Sequence, residues 1–195
     1  MHFLFKFIIV LCTVAIVLTL FTYIGSQIPT DETRPQGIQG YHDVIPAGFA
    51  AQEIQRVLDP RDAGRIMNPT PQTAQVAQRI ITVCQTPNTE CHLRAIVMWQ
   101  RTHIEHTEVI QVRDHVLTPE ETLLFREGDD LALSVLLVSM LRSQDIDARI
   151  GRTPYSTFVE ATLNKEPLRI DLGCANCGLG SIRYRGSEET ILWIA

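Results

Sequence analysis

The stretch that most constrains this sequence runs from Asp129 to Arg142. Leu131, Val135, Leu136, Val138, Met140 and Leu141 make it apolar nearly all round. A helix that is apolar on every side cannot lie on a surface, and this one is too short to cross a bilayer. It must therefore be the buried centre of a fold. Asp129 and Asp130, just after Gly128, suit its start: their carboxylates can cap free N–H groups and interact favourably with the positive end of the helix dipole. The rest of the chain has to supply a shell around that helix.

Helices come before it and strands after it. Ala47 to Leu58 has helical spacing (Phe49, Ile54, Val57, Leu58) and stops at Asp59-Pro60. Residues 61–68 read as irregular chain or a short helix. Thr70-Pro71 starts a helix, with threonine as cap and proline in the first turn, and Val76, Ile80, Ile81 and Val83 carry its spacing up to Cys84. A second helix is predicted from Thr89 or Glu90 to His103, with Leu93, Ile96, Val97 and Trp99 inward. Glu108 to Val112 reads as a short strand, and Thr118-Pro119-Glu120-Glu121 opens another helical turn. After the central helix, strands are predicted over residues 146–151, 156–163 and 167–172, with a turn at Asn164-Lys165. Residues 182–184 and 190–194 could add edge strands. Helices followed by a meander predict an α+β domain, helices packed on a small antiparallel sheet.

The other strong signal is at the N-terminus. Residues 7–24 carry no formal charge and would span about 27 Å as a helix, close to a bilayer's hydrocarbon core. Lys6 can snorkel, which brings residues 3–24 into contact with the membrane. A cleaved signal peptide is the alternative, but Ile24-Gly25-Ser26 makes a poor cleavage site. With Lys6 before the segment and Asp31 and Glu32 after it, the positive-inside rule places the N-terminus in the cytoplasm and the domain outside. The resulting plan is an anchor at 1–25, a Pro/Gly-containing linker at 26–46, a helical lead-in at 47–70 and the main domain at 71–195. Net charge is −5 and no Lys/Arg block alternates with aromatics, which argues against a nucleic-acid partner.

A set of stretches then falls into one pattern: Ala95 to Arg101 before Ile104; Thr118 to Leu123 before Arg126-Glu127-Gly128-Asp129; Leu141-Arg142 closing the central helix; then Ile146 to Arg149, Phe158-Val159-Glu160 and Ile170-Asp171. This resembles the transglutaminase-like superfamily, with papain-like (cysteine-proteinase-like) geometry, over roughly residues 72–180. The resemblance implies a cysteine nucleophile opening the central helix, a histidine on the following strand and an aspartate at the end of the next. A thiol at a helix N-terminus beside an imidazole is biased toward thiolate. The nucleophile position here holds Asp130, the histidine position holds Ser156, and the third position holds Asp171, which matches. A carboxylate is no useful nucleophile toward an amide, and a serine hydroxyl is no base at neutral pH. The family pattern often has tyrosine where this chain has His106.

Other clusters offer further readings. Cys84 and Cys91 flank a short loop, and Cys174 and Cys177 form a C-x-x-C after Asp171. Outside the cytoplasm two local disulfides, Cys84–Cys91 and Cys174–Cys177, are the simplest outcome, with a four-cysteine zinc site or a redox-active C-x-x-C as alternatives. His103 and His106, at i and i+3, could share a helical face. Asp129, Asp130 and Asp171 could cluster as acid–base groups. No cofactor and no metal is called for. The sequence thus points to a membrane-anchored, transglutaminase-like pseudoenzyme with a protein or peptide ligand. The alternatives are a hydrolase or acyltransferase using an acidic or metal-assisted site, and a thiol redox protein working through Cys174 and Cys177.

Overall fold

The computed structural model describes residues 39–46, 49, 59–85, 88–107, 115–154, 156–173 and 191–194. All of them belong to the unit formed by residues 35–195. The apolar segment 7–24, most of the lead-in helix at 47–58, the strands at 108–112 and 182–184, and the Cys174–Cys177 pair lie outside the described residues. No described helix is long and apolar enough to cross a membrane.

The predicted central helix is α5, Asp130–Arg142, and every residue from Leu131 to Leu141 on it is buried. Three helices pack around it: α2 (Pro71–Ile80), α3 (Thr89–His103) and α4 (Pro119–Phe125). Their starts follow capping rules. The Thr70 and Thr118 hydroxyls each accept the N–H three residues on, and each helix has proline in its first turn. Glu120, fully buried, accepts a hydrogen bond from the Thr70 hydroxyl, and so ties α4 to the N-terminus of α2. The expected helix through Cys84 ends earlier: α2 gives way to a 3-10 turn at Ile81–Val83. Residues 60–66 form a 3-10 helix capped by Asp59.

The other face of α5 lies on a four-stranded antiparallel sheet, in the order β5-β4-β3-β6. Its strands are β3 (Ala148–Arg152), β4 (Thr157–Leu163), β5 (Glu166–Ile170) and β6 (Leu192–Ile194). The β4–β5 turn falls at Asn164-Lys165, both at positive φ. Inward-facing Ile150, Val159, Ala161 and Ile170 are fully buried. On the outer face the Phe158 ring lies across Gly151, where a Cβ would strike the ring, and it meets Trp193 edge-on. A separate two-stranded parallel pair joins β1 (Glu105–His106) to β2 (Glu127–Gly128).

Two expectations are corrected here. The chain turns extended at Ile104, so His103 closes α3 while His106 stands on β1, and the two do not share a helical face. Residues 41–44, assigned to the linker, form a helical turn (α1) with Val44 fully buried. The local composition looked like a linker, but Tyr41 and Val44 find apolar partners that composition cannot reveal.

Candidate functional site

The site is assembled at the N-terminus of α5. Asp129 accepts the Ala132 N–H at 2.8 Å, as an N-cap should, which leaves Asp130 free to point elsewhere. Its Oδ1 lies 2.7 Å from His106 Nε2. The β1–β2 pairing makes that contact possible: the Glu105 N–H donates to the Arg126 carbonyl at 2.8 Å and the Thr107 N–H to the Gly128 carbonyl at 2.9 Å. These two bonds hold His106 level with Gly128, two residues before Asp130.

A third segment closes over the pair. Beyond β5 the chain runs through Asp171 and Leu172 to Gly173. A Cβ on Gly173 would fall 2.7 Å from Asp130 Oδ1, 3.5 Å from Asp171 Oδ1 and 3.6 Å from His106 Nε2. A side chain at this position would have to push the Asp130 carboxylate aside. The Asp171 carbonyl accepts from Arg101 Nη2 at 2.7 Å. Burial pulls the Arg101 guanidinium below its ordinary value while the Asp171 charge acts the other way; it remains a cation.

Two of the three positions implied by the resemblance, Asp130 and Asp171, are therefore brought together. Ser156 is turned elsewhere, with its hydroxyl 3.1 Å from Thr153 Oγ1 and its N–H donating to the same oxygen at 3.0 Å. The imidazole beside Asp130 comes from β1. The sequence pattern sets His106 on a helical face with His103, not beside Asp130. The signal that could have found it was its place in the family pattern, where another polar ring stands. A cleft of about 720 Å³ opens beside the pair, lined among others by Gln100, Arg101, His106, Phe125, Arg126 and Gly173. Among the described residues no three His, Cys, Asp or Glu side chains are placed to hold a metal ion.

Cys84 and Cys91 are bonded to each other, with Cα atoms 6.0 Å apart. That bond uses two of the thiols that a four-cysteine zinc site would require, which removes that alternative. Trp99 is core, as expected, at 1% exposure.

The arrangement of helices and sheet agrees with the comparison to known families. The model of the transglutaminase-like superfamily matches residues 74–162, from α2 to the end of β4. The matched stretch is transglutaminase-like. Asp130 and Ser156 fall inside the match and Asp171 just beyond it. Two solved structures are similar. One, a candidate protease from Parabacteroides distasonis, has TM-score 0.49 and 12% identity, over 57% of this chain and 25% of its own. The other, a candidate cysteine protease from Cytophaga hutchinsonii, has TM-score 0.46 and 16% identity, over 69% of this chain and 46% of its own. The chain thus spans a quarter and just under half of these two proteins. No curated protein sequence matches it significantly.

Proposed function

We propose that the chain is a single-pass membrane protein whose transglutaminase-like domain, held outside the cytoplasm, has given up thiol catalysis and serves as a binding or scaffolding module for a protein or peptide. One observation carries the reading: the residue that opens the buried helix α5 is Asp130, and its carboxylate is bonded to His106. Acyl transfer from an amide needs a nucleophile that forms a covalent acyl intermediate and a base that takes its proton. Asp130 is a poor nucleophile toward an amide, and the Ser156 hydroxyl is no base. The Cys84–Cys91 disulfide supports an oxidising compartment, and the uncharged run at residues 7–24 supports the anchor.

A second reading has one observation behind it: a His–Asp pair at 2.7 Å beside an open cleft could activate water. Both readings are tested by incubating the full chain with a panel of peptide and amine substrates. Turnover at the level of buffer alone is the expected result. Turnover that disappears in Asp130→Ala, Ser156→Ala or His106→Ala would overturn the binding role.

Asp130→Cys places a thiol at the N-terminus of a long buried helix within reach of His106, two features that favour thiolate. Iodoacetamide should alkylate it about tenfold or more faster at neutral pH than an ordinary exposed cysteine. Alkylation at the ordinary rate would mean that Asp130 does not occupy the nucleophile position.

A further inference from the structure

The segment just before the domain proper reaches the wall of the cleft. Tyr41 donates its hydroxyl to the Leu123 carbonyl at 2.5 Å, one of the carbonyls left without a helical partner at the end of α4. Its ring is stacked on Trp99 at 6.1 Å between centroids, and the Arg126 guanidinium lies over it at 4.4 Å. Trp99 in turn stacks on His103 at 5.0 Å. His103 and Arg126 both line the cleft. Around Tyr41 the segment is fastened at three more points: Val44 is fully buried, its carbonyl accepts from Arg79 at 3.5 Å, and Gln39 donates to the Thr82 hydroxyl at 2.7 Å.

Arg126 is the link that matters. It sits at φ 59°, in the left-handed region, which a side-chain-bearing residue adopts only where its surroundings hold it there. Three contacts do so: the ring of Tyr41 under its guanidinium, the Glu105 N–H on its carbonyl, and its own N–H on the Thr122 carbonyl at 3.0 Å. That second bond is the first rung of the β1–β2 pair, and the β1–β2 pair presents His106 to Asp130. The contacts therefore run from Tyr41 to Arg126, from Arg126 to β1, and from β1 to the His106–Asp130 bond. Burial pushes the Tyr41 hydroxyl above its ordinary value of 10.0, with Arg126 acting against it, so the phenol stays a donor at neutral pH.

We propose that residues 39–46 form a clasp on this cleft and that Tyr41 is a positioning residue, holding His106 against Asp130 through Arg126. Freeing the clasp, by a partner that takes up residues 39–46 or by strain on the chain before them, loosens the cleft while the sheet is untouched. The proposal goes beyond the binding reading and does not depend on it, because the clasp would position His106 equally in an active site.

The experiment compares the full chain with its Tyr41→Ala and Tyr41→Phe variants. It follows hydrogen exchange at the Glu105 and Thr107 amides and the ring ¹⁵N signal of His106, with the β4 amides as reference. Tyr41→Ala should speed exchange at Glu105 and Thr107 by about tenfold, leave β4 unchanged, and move the His106 Nε2 resonance off its hydrogen-bonded position. Tyr41→Phe, which keeps the ring and loses only the bond to Leu123, should do the same to a smaller degree. If exchange at Glu105 and Thr107 stays within about twofold of the wild type, or if β4 accelerates equally, Tyr41 is ordinary packing and the clasp is refuted. Should Tyr41→Ala fail to fold, Tyr41→Phe decides alone, and exchange and ring signal identical to the wild type overturn the proposal.

Discussion

Two acidic groups in this molecule are treated in opposite ways. On the outer face of the sheet, Glu160 is 8% exposed and is gripped from both sides: Arg149 reaches one oxygen at 2.7 Å and Arg169 the other at 3.0 Å. The three residues lie in register across β3, β4 and β5. Arg149 is also stacked on Trp193 at 3.9 Å, and Arg169 lies over the Phe158 ring at 5.4 Å. At the N-terminus of α5, the Asp130 side chain is 45% exposed and has one partner, a His106 that is itself 36% exposed. The first arrangement is a closed polar network, satisfied and braced by aromatic rings. The second is an open pair at a cleft. Closed networks fix one structure, whereas open, singly bonded groups contribute little to stability and remain available to a ligand.

The two glycines beside these groups differ most in what surrounds them. A Cβ at Gly151 would enter the Phe158 ring, and that ring, 1% exposed, has nowhere to move. Gly151→Ala should cost about 3 kcal/mol, read as a fall in the denaturant midpoint at unchanged slope. A Cβ at Gly173 would meet the Asp130 carboxylate, which can swing outward. Gly173→Ala should cost less than about 1 kcal/mol, yet displace Asp130 from His106 and move the His106 ring signal. Equal losses of stability at the two positions would mean that the site is packed as tightly as the sheet.

The next largest effect belongs to Glu160. Removing it takes a charged acceptor from two guanidinium groups, and Glu160→Ala should lose about 2 kcal/mol in thermal or denaturant unfolding. Its acid limb has a definite sign. Burial alone would raise this carboxyl; hydrogen bonds and charge from Arg149 and Arg169 outweigh burial and hold it below its ordinary value of 4.5. A carboxyl lowered in the folded state contributes stability in full above its unfolded value and loses it as the pH falls through the lowered native one. Stability measured from pH 6 to pH 2 should therefore decline, and Glu160→Gln should remove part of that slope. A slope unchanged in Glu160→Gln would mean that other carboxylates cause the decline.

Much of the frame could be read from residue patterns. An all-round apolar run specified α5, threonine–proline pairs specified the starts of α2 and α4, and alternation after Ile146 specified the meander. These are local signals, written in capping and periodicity. The 84–91 disulfide was legible because the two cysteines are close in sequence. The site was legible only in part. Asp130 and Asp171 could be placed through the family resemblance, since one opens a recognisable helix and the other follows a recognisable strand. His106 could not, since its position depends on a parallel pairing of β1 with β2, two very short strands separated by α4. Tyr41 was hidden for the same reason: its partners Trp99, Leu123 and Arg126 are distant in the chain, and a tyrosine in a Pro/Gly-containing stretch looks like linker.

The smallest effect falls on the pair itself. Because His106 and Asp130 are both more than a third exposed, water and salt screen their attraction. A double-mutant cycle with His106→Ala and Asp130→Asn should give a coupling of no more than about 0.5 kcal/mol, shrinking further in 0.5 M salt. The Arg169–Glu160 pair, measured the same way with Arg169→Ala and Glu160→Gln, should couple more strongly and respond less to salt, since Glu160 is buried and Arg169 only 23% exposed. A strong, salt-resistant coupling at His106–Asp130 would mean that the pair is shielded from solvent in the working protein. The cleft would then be covered, and a site designed to exclude water would fit catalysis better than open binding.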